Sequence, residues 1–159
     1  MVNEPLVIDT GPLILLAKIG ALPLLSKLPY RFIAPQEVMD ELTAGVAVGH
    51  PAVECPDLEV MRLASPVPPL IRAALDEGEA AVIQLALEQR WKRVCLDELR
   101  GRRMAKAVGL EVVGVLGLLG RAKRDGVIPA LAPFTQRLVA VGARYHPDLL
   151  ARMIREIDG

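Results

Sequence analysis

A chain of 159 residues, 52% of them apolar and 24% charged, is long enough to fill one core, which argues against disorder over most of its length. Its two cysteines, Cys55 and Cys95, lie far apart with no histidine nearby, so neither a disulfide framework nor a zinc site is indicated and inert thiols in a reducing cytosol are expected. The formal charge is zero, yet residues 1–89 carry 5 basic and 12 acidic side chains against 14 and 7 in residues 90–159, so the halves bear −7 and +7.

That asymmetry suits an acidic centre beside a basic surface holding a polyanion, with a functionless dipolar surface as the equal alternative. The N-terminus offers no basic stretch leading into a long apolar run, and no window has 18 uninterrupted apolar residues. A cytoplasmic protein without a membrane segment is expected.

Residues 5–9, PLVID, form a short apolar run of strand type, followed by TGP and then LILLAKIGALPLLSKL, helical by composition and spacing, with Pro12 in the first turn. RFIA at 31–34 reads as a second strand, and PQEVMDELTAG as a helix opened by Pro35 and ended near Gly45. Residues 46–69 are rich in Pro and Gly and read as loop, with LEVMRLA at 58–64 as an edge strand. A helix follows over 76–89, a strand over 93–96, another helix over 98–109 closed by Gly109, and a last strand over 110–115. The remainder is mostly helical, with segments near 130–141 and 147–157.

Strands alternating with helices at this spacing favour a parallel sheet covered on both faces. The expected fold is a three-layer α/β/α sandwich with a mainly parallel central sheet, one domain over 1–159 with a mostly helical extension from about 116.

In such a sheet, ligands bind outside the carboxyl ends of the strands, where Asp9 closes LVI and Asp97 closes VCL. Either alone is as readily a helix cap. Helix phase adds two more acids: Glu41 lies three residues after Val38, and Glu79 four before Ile83 and eight before Leu87, so each extends an apolar stripe. Glu77 rivals Glu79 for this place, while Asp76 and Glu77 can both serve the helix dipole. Glu41 competes with a solvated reading, since Glu37 and Asp40 give its helix an ordinary acidic face.

Four converging carboxylates cannot stay uncompensated, because two like charges at ~4 Å cost ~4 kcal/mol at an effective dielectric of about 20. Without histidine or cysteine in the set, Mg²⁺ or Mn²⁺ is favoured over zinc, and such ions suit phosphoryl hydrolysis.

Four segments together, VIDTGPLILLAKIG, APQEVMDEL, DEGEAAVIQLALE and VCLDELRGRRMAKAVGLEVVGVLGLL, resemble the PIN-domain family, in particular its compact bacterial and archaeal branch with VapC-like toxin ribonucleases. The resemblance spans nearly the whole chain. It implies a metal-dependent endoribonuclease in which Asp9, Glu41, Glu79 and Asp97 bind one or two Mg²⁺ or Mn²⁺ ions, with RNA as substrate. Thr10 matches a hydroxyl position often found beside the first acid, and helix capping is compatible with that role. The third acid departs from the commoner aspartate of the toxin pattern.

Arg100, Arg102, Arg103 and Lys106 follow the last acid, where Arg100 and Arg103 are expected to meet phosphates unless they form an ordinary basic helix face. His50 and His146 are isolated and take no catalytic role, and Trp91 alone makes no base-stacking platform. A small antitoxin and a homodimer are the expected protein partners. The alternatives are a PIN-like binding module with little activity, and a metal-dependent DNA nuclease or phosphatase.

Overall fold

The computed structural model describes residues 3–159. The first apolar run forms β1 (Glu4–Ile8), whose Leu6, Val7 and Ile8 are all fully buried. A strand apolar on both faces belongs in the middle of a covered parallel sheet. β2 (Tyr30–Pro35), β3 (Glu59–Met61), β4 (Arg93–Cys95) and β5 (Glu111–Val113) complete it in the order β3-β2-β1-β4-β5, and every pairing is parallel. The expected parallel α/β sandwich is therefore the fold, with β3 at the edge where the sequence placed it.

Helices fill the crossovers: α1 (Thr10–Lys18), α2 (Gln36–Ala47), α3 (Pro69–Ala74), α4 (Glu77–Gln89) and α5 (Leu99–Ala107), and after the last strand come α6 (Val115–Arg124), α7 (Ala132–Ala140) and α8 (Pro147–Ile157). In α4 every residue from Gly78 to Ala86 is buried, as expected of a helix enclosed on all sides. It packs on β1, β2 and β4 and against α2 and α5. Leu118, Leu119, Leu131 and Leu138 join the same continuous cluster of buried residues as the sheet.

Four boundaries differ from expectation. The long helix read after TGP ends at Lys18, because Gly20 turns left-handed (φ 70°) and Ala21 N–H returns to Leu16 C=O at 2.8 Å; a 3₁₀ turn carries Leu22–Lys27. Pro35 finishes β2 rather than opening α2, its ψ of 155° being extended. The strand over 58–64 shrinks to three residues paired with Ile33–Pro35, and α3 occupies a stretch without an assigned element. The last strand stops at Val113, since α6 begins at Val115.

Candidate metal centre

The carboxyl ends of β1 and β4 are tied together by Asp9 N–H donating to Cys95 C=O at 3.1 Å, which sets Asp9 and Asp97 on neighbouring strand ends. Asp9 occupies the N-cap position of α1, yet its carboxylate caps nothing. It is 7% exposed, and its Oδ1 is buried without a hydrogen-bond partner. Capping, the competing reading for this residue, is not what the side chain does.

Glu41 projects from α2 toward the same place, held by two donors: Thr10 Oγ1 at 2.9 Å on Oε2, and the backbone N–H of Gly78. A Cβ on Gly78 would stand 2.8 Å from Glu41 Cδ and closer still to Oε1, so a side chain there would displace the Glu41 carboxylate. Glu79, in the first turn of α4, is 3% exposed with its Oε1 buried and unpartnered, whereas Glu77 is exposed. Asp76 caps that helix, its Oδ1 accepting Glu79 N–H at 2.9 Å, so the dipole is served without Glu79.

Burial first, and repulsion between neighbouring carboxylates after it, raises these acids together. Burial pushes Asp9 from 3.8 up to about 8, Thr10 N–H opposes this, and Asp76, Glu79 and Glu41 add to the rise. Glu79 is pushed from 4.5 up to about 7, by burial first and then by Asp76 and Glu98. Glu41 is also raised, by burial ahead of Asp76 and Glu77, with the Thr10 and Gly78 donors pulling the other way.

Asp97 stands slightly apart. Its Oδ1 accepts Val115 N–H at 3.2 Å, the Arg102 charge lies nearby, and its Oδ2 is buried without a partner. Burial still outweighs those two and raises its carboxyl. A cleft of about 1040 Å³ opens past it, lined by Gly11, Glu98, Arg102 and Tyr145 among others, with His50 on its rim.

Of the four acids expected to converge, Asp9, Glu41 and Glu79 lie near one another and Asp97 stands apart, while Asp76 and Glu98, not expected at the site, lie beside Glu79. Among the described residues the acidic trio whose oxygens all lie within 4.8 Å of one another is Asp76, Glu79 and Glu98. Asp76 was legible only as a cap. Glu98 precedes α5, and only the packing of α4 against α5 brings it to Glu79.

The basic residues divide differently from expectation. Arg100 and Arg103 line a shallow hollow with Ala73, Leu75 and Met104, toward α3. Arg102 is the guanidinium beside Asp97, and it also donates to Leu96 C=O at 3.0 Å. His146 caps α8 by accepting Asp148 N–H at 3.1 Å.

A hard divalent cation fits this donor set. The donors are all oxygen, and Asp9, Glu79 and Asp97 each hold a buried oxygen with no partner within the protein. Asp9 lies close enough to Glu41 and Glu79 for both to raise its carboxyl, but among the described residues no three of Asp9, Glu41, Glu79 and Asp97 offer oxygens within 4.8 Å of one another.

An acid-rich pocket at the carboxyl edge of an all-parallel α/β sheet defines the class: an α/β protein with a carboxylate-lined site of the kind that suits divalent cations. The family model for the DUF3368 PIN domain matches residues 5–159, and the chain belongs to that PIN-domain family, whose members are in general metal-dependent nucleases. Among solved structures, a PilT N-terminus domain protein from the archaeon Sulfolobus solfataricus is similar at 14% identity and a TM-score of 0.49, over 90% of this chain and 98% of that one. Comparison with curated proteins returns no match. No helix among the described residues is long and apolar enough to cross a membrane.

Proposed function

We propose that the protein is a Mg²⁺- or Mn²⁺-dependent endoribonuclease, with Asp9, Glu41, Glu79 and Asp97 as its cation-holding and catalytic acids. The observation that carries this reading is the set of buried, unpartnered oxygens on Asp9, Glu79 and Asp97. Leaving such groups unanswered costs about 1–3 kcal/mol each and more for charged ones, so a fold keeps them where a ligand answers them.

A cation bound there supplies activation of water and neutralisation of the charge developing on the phosphodiester. The protein's own residues set the stage. Thr10 and the Gly78 N–H fix the Glu41 carboxylate, and Val115 N–H with Arg102 orients Asp97. Asp9 and Glu79, raised to about 8 and about 7 without metal, would give up their protons to a cation that binds there. Arg100 and Arg103 are proposed to meet phosphates of a longer strand rather than the one being cut, a reading supported by their exposure on α5.

RNA is favoured by membership of the family. The toxin half of a toxin–antitoxin pair, acting in the cytoplasm as a homodimer and restrained by a small antitoxin, is the biological setting proposed with it. A panel of single-stranded RNA, single-stranded DNA and a phosphomonoester, each with Mn²⁺, tests the substrate. Cleavage of RNA that disappears in Asp9→Asn and Asp97→Asn is the expected result. Undiminished cleavage by both variants would remove the acids from the mechanism.

A further inference from the structure

We propose, resting on the nuclease reading for the presence of a strand, that the cleft beyond Asp97 takes the bases of a single-stranded nucleic acid. Tyr145 lies against a base there, and Lys18 and Arg144 meet the flanking phosphates. None of the roles given above to the site acids uses these three residues.

Two kinds of chemistry line the cleft. Its apolar wall carries Ile14, Leu15, Val112, Val113, Leu149 and Met153, each only partly covered by the rest of the protein. Apolar side chains left half covered around one space fit the face of a flat, apolar group. Among the described residues, the acids of the lining are Asp97 and Glu98, whereas Lys18, Arg102 and Arg144 bring positive charge. Arg102 lies beside Asp97, but Lys18 and Arg144 are exposed and pair with no acid among the described residues. An apolar wall flanked by free cations matches bases on a phosphodiester backbone better than an uncharged apolar segment. The volume of about 1040 Å³ stands at the top of the range that encloses a small organic ligand, roughly 300–1,000 Å³, so a base fits with its ribose and phosphate.

Tyr145 is the only phenylalanine, tyrosine or tryptophan in that lining among the described residues. It sits between α7 and α8, three residues after Gly142 turns left-handed (φ 89°). Burial, and after it the Asp97 charge, raises its hydroxyl above the usual range while Arg102 opposes this, so the side chain stands close to both. A half-buried ring in that place offers a stacking face next to the site acids.

Gly11 adds an independent observation. It lines the same cleft in the first turn of α1, two residues after Asp9. Its φ is not left-handed, and nothing stands within 4 Å of the place a Cβ would take. Neither the backbone nor the packing calls for glycine, a poor helix former. The open space lets a strand approach α1 closely beside Asp9.

Fluorescence anisotropy of the full chain in EDTA, which prevents cutting, compares a short mixed-sequence single-stranded RNA with an abasic strand of the same length and charge. Far-ultraviolet circular dichroism verifies that each variant is folded. The wild type is expected to prefer the base-bearing strand by about tenfold or more, in line with the worth of stacking on an aromatic ring. Tyr145→Leu should lose most of that preference, and Tyr145→Phe should keep it, which a merely structural tyrosine would not produce. Gly11→Val should weaken binding of both strands by crowding the cleft. Lys18→Met with Arg144→Met should also weaken both, and should flatten the logarithmic salt dependence by about 0.7 per lost phosphate contact.

Equal affinity of the wild type for the two strands, or a preference that Tyr145→Leu retains, would overturn the base subsite. Absence of saturable binding would overturn it too, and a dimer that Gly11→Val then dissociates would assign the cleft to a second copy of the chain. Base-dependent binding without cleavage once Mn²⁺ is added leaves the subsite standing and removes the nuclease reading. Cleavage with base-independent binding does the reverse.

Discussion

Thr10 donates its hydroxyl to Glu41 Oε2 at 2.9 Å, joining the first residue of α1 to the inner face of α2 across 31 positions of sequence. This bond holds the half-buried Glu41 carboxylate against α1. Thr10→Val keeps the shape and removes the donor. Allowing for solvent screening at a half-buried acid, the expected loss is about 1 kcal/mol, seen as a fall in Tm of about 2–4 °C. Mn²⁺ affinity measured by calorimetry should fall as well, and Thr10→Ser should restore it.

Gly78→Ala separates stability from function. Alanine favours a helix by up to about 1 kcal/mol over glycine, so Tm should hold or rise. The added Cβ occupies the space of the Glu41 carboxylate and forces it off its Thr10 and Gly78 donors. Mn²⁺ affinity and RNA cleavage are expected to drop by about tenfold or more. Unaltered affinity together with unaltered Tm would mean that Glu41 has another place to go.

The pH dependence follows from the direction of the shifts. Asp9, raised from 3.8 to about 8, and Glu79, raised from 4.5 to about 7, bind protons more tightly folded than unfolded. Their contribution to metal-free stability is complete below their unfolded values and is lost as pH rises through the folded ones. Thermal unfolding of the metal-free protein should therefore weaken between about pH 5 and about pH 8. Mn²⁺ displaces those protons, so the Tm gained from it should grow across the same interval. A gain independent of pH would contradict proton-linked binding at Asp9 and Glu79.

The three arginines after Asp97 should separate by environment. Arg102 supports Asp97 and Leu96 C=O, so Arg102→Met is expected to cost about 1–3 kcal/mol in chemical denaturation. Arg100→Met and Arg103→Met, at exposed positions, should stay within about 0.5 kcal/mol while weakening RNA binding and flattening its salt dependence.

The sheet was readable because β1, β2 and β4 are short apolar runs that each lead directly toward a helix, and strand direction alone put Asp9 and Asp97 beyond the ends of β1 and β4. Glu79 was readable to within two residues. Its helix phase pointed inward, but only the packing of α4 under α5 buries Glu79 and leaves Glu77 exposed. Two things were not local. The break at Gly20 depends on a left-handed turn that an apolar helical pattern hides, and the meeting of Asp76 with Glu98 depends on two helix starts separated by β4. Arg102 was visible among four basic residues, yet nothing along the chain distinguished it from Arg100 and Arg103.

The most direct test is anomalous diffraction from crystals soaked in Mn²⁺. The expected result is a peak with Asp9 and Glu79 oxygens at ~2.0–2.6 Å, the range of hard-cation ligands, with Glu41 or Asp97 in the same shell or reaching it through water. Density showing Asp9 and Glu79 in their metal-free positions, with no peak near either at millimolar Mn²⁺, would contradict a cation centre at these acids.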